Sequence, residues 1–192
     1  SGKMGYAMAR AALEAGANVT LVSGPVDIKA PDQINCVMVN TAAEMRDAVL
    51  SKAEGADIFI AAAAVADYRC EEVAEHKIKK SVETLSLKLQ KNPDVLADVA
   101  SLDSNLFTVG FAAETESLKE NAIRKLESKG LDMIAANLVG NNLGFDKDDN
   151  ALEVFWSGGS LSLQTAPKDK LARQLLHAIS LNYYEKNSDK TH

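Results

Sequence analysis

The chain has 192 residues, 46% of them apolar and 25% charged, and carries a formal net charge of −6. Those values suit one soluble domain with a sizeable core, and they argue against a general binder of nucleic acid, whose phosphates are held by net-basic surfaces. No apolar stretch approaches the roughly 20 residues that cross a bilayer, and the first residues lack the charged and apolar blocks of a signal peptide.

Short β-branched runs alternate with helical patterns, which predicts βαβ units and an α/β, Rossmann-like fold with a mostly parallel sheet flanked by helices. An alanine-rich helix is expected from Met4 to Ala15, stopped by Gly16. Strands ANVTLVS and INCVMVN follow, and Thr41 with Glu44 forms a capping box for a helix ending near Gly55. Strand DIFIAAA is almost continuously apolar, as a strand covered on both faces should be. Asn92 reads as an N-cap with Pro93 at the first helical position, so a helix begins within KNPDVLADVA. Strand LFTVGF, a helix over 118–129 and strand LDMIAAN continue the alternation. The segment LEVFWSGGSLSLQT predicts an antiparallel hairpin turned at Gly158–Gly159. A last helix spans 168–184, leaving residues 1–184 as the domain and 185–192 as a disordered tail. SGKMG opens a helix with no strand ahead of it, whereas doubly wound sheets place such a turn after a central first strand, so a first strand is expected upstream of Ser1.

Several motifs bear on chemistry. SGKMG offers backbone N–H groups at a helix N-terminus, which suits a phosphate as well as it suits an ordinary turn. It is neither GxxxxGK[ST] nor GxGxxG, and ANVTLVS ends without the acidic residue that would hold a nicotinamide cofactor's ribose. AAAVADYRC follows the carboxyl end of DIFIAAA, where open α/β sheets bind ligands; its alanines admit a flat ring, and Asp67 can accept from hydroxyls, hold a metal, or simply cap a turn. KIKK is either a solvated face or a set of lysines able to swing onto a polyphosphate. Lys125 and Lys129, four residues apart, either snorkel from the border of an apolar stripe or reach into a cleft. Gly110 allows close backbone approach at a strand end, and Phe111 offers a ring whose default place is the core. Cys36 and Cys70 form no CxxC pair, and neither they nor His76, His177 and His192 stand at zinc-ligand spacing, so a reducing cytoplasm is the expected compartment.

SGKMG, AAAVADY, KIKK, KNPDVL and GFAAET, in this order, resemble the bacterial phosphopantothenate–cysteine ligase, commonly the C-terminal half of a bifunctional flavoprotein whose other half decarboxylates the ligase's product. The resemblance implies a CTP site lined by Ala61, Ala62, Ala63 and Asp67, with Lys77, the turn Pro93, Asp94, Val95 and Leu96, Phe111, Lys125 and Lys129 on the nucleotide. It implies phosphate binding by Ser1, Gly2 and Lys3, with Lys77 the catalytic charge on the transferring phosphate and Mg²⁺ accompanying CTP. It further implies an acyl-cytidylate intermediate, a homodimer, and a site asparagine a few residues ahead of SGKMG; the segment Val82–Leu89 alternates apolar and polar residues like a strand with an edge to pair. Where the family often has Asn-Asp after LDMIAA, this chain has Asn137–Leu138. The alternatives in other classes are a nicotinamide-dependent oxidoreductase and a non-catalytic nucleotide-binding module.

Overall fold

The computed structural model describes residues 1–74, 76–78, 84–102, 105–138 and 149–188. Helix α1 (Lys3–Glu14) leads to strands β1 (Thr20–Ser23) and β2 (Asn35–Met38), helix α2 (Ala42–Ala53) and strand β3 (Ile58–Ala61). Two short strands, β4 (Tyr68–Cys70) and β5 (Leu89–Lys91), precede α3 (Val95–Ala100), β6 (Phe107–Glu114), α4 (Leu118–Lys129) and β7 (Met133–Leu138). A hairpin of β8 (Asp149–Trp156) and β9 (Gly159–Pro167) then runs into α5 (Lys168–Ser188).

The main sheet has the order β3-β6-β7-β8-β9; the first three strands are parallel and the hairpin pairs antiparallel. This is the mixed α/β architecture that the alternation predicts. Strand alternation divides its side chains between two layers. Phe107, Val109, Met133, Ala135, Leu152 and Val154 join Ala7, Met8 and Ala11 of α1 and Leu171, Leu175 and Ile179 of α5 in one core. Ala112, Ile134, Ala136 and Phe155 face the other way, onto Ala122 and Leu126 of α4. A third cluster joins α2 and α3 through Val49, Ala53, Val95 and Val99, with Val22 and Phe59 against it. Strands β1 and β2 form a separate parallel pair, so the parallel strands do not make one continuous sheet among the described residues.

Local chemistry explains most boundaries. The α1 helix ends where Gly16, at φ 86°, takes the left-handed conformation that glycine adopts without strain. Thr41 Oγ1 accepts from the Glu44 N–H at 3.1 Å; the return bond goes from the Asn40 N–H to Glu44 Oε2 at 2.8 Å, one residue earlier than in a standard capping box.

Five expectations need correction. The N-cap of α3 is Asp94, whose carboxylate accepts from the Ala97 N–H at 3.1 Å, so Pro93 precedes the helix and Asn92 is free for another task. The β8–β9 turn is centred on Ser157–Gly158, because Gly159 already pairs with Trp156; a Cβ there would lie 2.6 Å from the indole. Residues 185–188 are helical rather than a loose tail; 189–192 lie outside the described residues. Lys186 Nζ meets Asp132 Oδ1 at 2.6 Å and stands 5.6 Å from the Phe107 ring centre, while Tyr183 donates to Asp57 at 3.2 Å, which gives the last turn enough contact to stay wound. Strand β3 is half-buried along its length rather than covered on both faces. Within Val82–Leu89 only Leu89 is in a strand, paired with β4; residues 82 and 83 lie outside the described set.

Candidate functional site

Parallel pairing aligns the carboxyl ends of strands on one edge, and that edge is where the candidate residues collect. Ala61 ends β3 opposite Gly110 of β6, so the alanine-rich crest 61–67 starts beside the Gly110–Phe111 step. The first turn of α1 comes to the same place: a Cβ built on Gly5 would sit 3.6 Å from the Ala62 methyl. Tyr6 fixes that turn to the end of β1, its hydroxyl donating to buried Ser23 Oγ at 3.0 Å, and Ser23 Oγ donates in turn to the Gly24 carbonyl. Gly2 caps α1 at φ 69°, and a Cβ there would also lie 2.9 Å from Val26, so both backbone and space require glycine. Ser1 and Lys3 line a cavity of about 510 Å³ with Pro25, Val26, Asp27 and Ile28. A concave space at a helix N-terminus suits an anion, although Asp27 brings one negative charge to its wall.

Gly110 serves protein packing rather than ligand approach. A Cβ there would meet Leu131 at 2.9 Å and Leu96 at 3.0 Å, so the Leu96 side chain occupies the space over the strand. Leu96 therefore faces the core, and of this turn it is Asp94 that is exposed. Phe111 is half-buried and packs on the α1–α5 side, which confirms its core reading while leaving part of the ring open.

On the opposite side, α4 presents both lysines toward this edge, each held by an acid. Lys125 Nζ meets Glu114 Oε1 at 2.7 Å, and Asn121 Nδ2 donates to Glu114 Oε2 at 3.1 Å. The Glu114 side chain is only 11% exposed, so its charge is poorly screened and Lys125 is the partner that makes it tolerable. Lys129 Nζ lies 3.0 and 2.8 Å from the two Asp94 oxygens, joining the end of α4 to the cap of α3. Burial pushes the Asp94 carboxyl up, but the hydrogen bonds from Lys129 and the Ala97 N–H, with the charges of Lys129 and Lys91, outweigh it and leave it below its ordinary value. Neither lysine simply snorkels.

The structure thus brings together Ala61, Ala62, Ala63, Asp67, Pro93, Asp94, Val95, Leu96, Phe111, Lys125 and Lys129, with the α1 turn alongside. Val95 is buried among α2 and α3 side chains and contributes backbone only. Among the described residues no hydrogen bond or ion pair ties Lys77 to this edge; it is exposed on the segment between β4 and β5, while Lys79 and Lys80 lie outside the described residues. Sequence reasoning missed Glu114 and Asn121, although Glu114 stands inside GFAAET: a lone acid after a strand gives no sign of which cation it will meet. Asn137 is half-buried and Leu138 exposed where β7 ends, beside Ala113 and Glu114. No group of three or more His, Cys, Asp or Glu forms a metal cage among the described residues.

The comparisons with known proteins agree with this architecture. The chain is 50% identical over 184 residues to the coenzyme A biosynthesis bifunctional protein CoaBC of Haemophilus influenzae, covering 95% of the chain and 46% of that protein. With the protein of the same name from Vibrio cholerae it shares 51% over 183 residues, covering 93% and 46%. Among solved structures, the C-terminal domain of a coenzyme A biosynthesis bifunctional protein CoaBC superposes with a TM-score of 0.82 at 33% identity, covering 96% of this chain and 84% of that one. The chain spans about half the length of the curated relatives it matches. A family model also matches residues 1–182, and the chain belongs to that family, the DNA/pantothenate metabolism flavoprotein C-terminal domain.

Proposed function

We propose that this chain is a phosphopantothenate–cysteine ligase unit that uses CTP in coenzyme A synthesis. The observation that carries the reading is the convergence, at one sheet edge, of the alanine crest, the α3 cap turn, Phe111 and two lysines. Kinship over 95% of the chain with a bifunctional coenzyme A protein supports it. In the first half-reaction the carboxylate of 4′-phosphopantothenate attacks the α-phosphate of CTP and displaces pyrophosphate, giving an acyl cytidylate. In the second the amine of L-cysteine attacks the acyl carbonyl, CMP leaves, and a proton is released.

The first step brings anions together, so positioning and charge neutralisation should dominate. Lys125 and Lys129 supply fixed positive charge, the crest lets a flat ring approach the backbone, and Lys77 supplies charge from the exposed segment. No covalent nucleophile is required of the protein. Mg²⁺ is commonly held by one or two carboxylates together with substrate phosphates rather than by an all-protein cage. The crest fits that habit: Asp67 is exposed and would hold the ion, which would neutralise phosphate charge. The natural protein on this reading works in the cytoplasm, with a decarboxylase unit in the same polypeptide.

We also assign a homodimer to it, built on the arm between β4 and β5. Leu85, Leu87 and Leu89 recur at every second residue and are 61%, 62% and 56% exposed, an apolar row that water disfavours and a second copy could cover. Light scattering should give twice the mass of one chain; a mass near 20.5 kDa would remove the dimer. Thermal shift tests the nucleotide: CTP with Mg²⁺ should raise the melting temperature, ATP much less, and NAD(P) not at all. Equal stabilisation by CTP and ATP would end the claim of CTP specificity. Stabilisation by CTP without CMP formation from the three substrates would favour a non-catalytic binding module.

A further inference from the structure

Ala66 of the crest and Asn92, just ahead of the α3 cap turn, are 26 residues apart in sequence, and the Asn92 side chain spans them. Asn92 Nδ2 donates to the Ala66 carbonyl at 2.8 Å, and the Asn92 N–H donates to the Asp67 carbonyl at 2.8 Å. Among the described residues, the hydrogen bonds that reach residues 63–67 both come from Asn92. The crest alanines carry no side chain able to anchor themselves, and Ala63, Ala64, Ala66 and Asp67 are all exposed. Without the clip this stretch keeps little that would define its shape.

The amide is itself oriented. Arg69 Nη1 donates to Asn92 Oδ1 at 2.8 Å and to the Lys91 carbonyl at 3.2 Å. With the Gln90 amide turned to present its oxygen, Arg69 Nε and Nη2 donate to it at 3.2 Å each, across the β4–β5 register. Guanidinium donors can meet only the oxygen of Asn92, so its NH₂ is left facing Ala66. A carboxylate in the same shape would set a lone pair against that carbonyl, and a shorter hydroxyl would not span both partners.

We propose that Asn92, oriented by Arg69, is a positioning residue that holds the alanine crest at a fixed distance from the Asp94–Lys129 side of the nucleotide site. This rests on the nucleotide reading above. Asn92 need touch neither substrate nor reacting atoms. Its effect is to have the crest shaped before the nucleotide arrives, so its loss should appear in nucleotide binding, where the ordering cost would otherwise fall.

The test uses Asn92→Asp, Asn92→Ala and Arg69→Ala, with CTP affinity by titration, kcat for pyrophosphate release, KM for cysteine, and the melting temperature. Asn92→Asp should weaken CTP binding about tenfold or more, leave the cysteine KM within about twofold, and lower kcat much less than affinity. Arg69→Ala removes an exposed side chain, so it serves if an Asn92 variant fails to fold; it should weaken CTP in the same direction by about threefold. Combined with Asn92→Ala it should add little, because both changes release one clip. A purely structural asparagine would lower the melting temperature and the active fraction with CTP affinity unchanged, and that result overturns the proposal. A parent protein that ignores CTP overturns the nucleotide reading and this one together; a parent that binds CTP, with variants that bind it equally, overturns this one alone.

Discussion

The two flanks of the candidate site offer positive charge in opposite ways. On the α4 flank, Lys125 and Lys129 are held within 3.0 Å of Glu114 and Asp94, on helical backbone. On the arm between β4 and β5, Lys77 is exposed, with neither hydrogen bond nor ion pair among the described residues. On the proposed reading, a cation already placed contributes to ground-state binding, because its geometry is set before the ligand arrives. A free lysine loses side-chain entropy only when it meets charge, so its favourable contact can be kept for the moment at which charge develops. On that reading the same residue type would support different steps according to what holds it.

The sharpest way to break that contrast is Lys77→Gln in a CTP-active preparation. Losing an electrostatic partner of the transition state typically costs on the order of 10²–10³ in rate. Pyrophosphate release without cysteine should fall by that amount while CTP affinity changes little; release at the parent rate would make Lys77 a solvated surface lysine. Glu114→Gln probes the other flank. It keeps the shape but removes the charge that fixes Lys125, so CTP affinity should fall about tenfold with a smaller change in kcat. If kcat falls more than affinity, the two flanks do not differ in the way described.

Lys186→Met serves as the control remote from the candidate edge. It leaves the half-buried Asp132 carboxylate without its 2.6 Å partner, although Asp132 keeps the Thr108 N–H at 2.8 Å. Losing one charge-assisted hydrogen bond there should cost about 1–3 kcal/mol. The melting temperature should drop, with the CTP affinity of the folded protein unchanged; a shift in affinity would show that the site depends on distant packing. The smallest effect is expected from acid. The Asp94 carboxyl is held below its ordinary value, so its contribution is complete above about pH 3.9 and is lost as pH falls through the lower folded value. Asp94→Asn should therefore lower stability by a constant amount from pH 5 to 8, with the gap from the parent closing only as pH falls below about 4. A difference between the two proteins that titrates near neutrality would mean another group carries it.

What could be read along the chain was whatever a few neighbouring residues decide. The helix stop at Gly16, the Thr41 cap, the alternation of strands and helices and the ordered motifs are all short-range, and they locate the edge where the candidate residues gather. Even there, one cap was misread: Asn92 has cap chemistry, but so does Asp94 two residues on, and Asp94 took the cap while Asn92 reached Ala66. The tail 185–192 read as disordered because it is polar, yet Lys186 finds an acid 54 residues away.

Only tertiary structure decided the partners. Glu114 joins Lys125 across 11 residues, Asp94 joins Lys129 across 35, and Arg69 reaches Asn92 across 23. Each pairing depends on which strands lie side by side and on the angle at which a helix crosses the sheet. Gly110 shows the same dependence: its sequence context allowed a close approach, but the packing of α3 and α4 determined that Leu96 and Leu131 would be the groups that approach. The physical reason is that cap and turn energies are local and of order 1 kcal/mol, whereas the match between a charge and its counter-charge is set by burial and register that no short window of sequence contains.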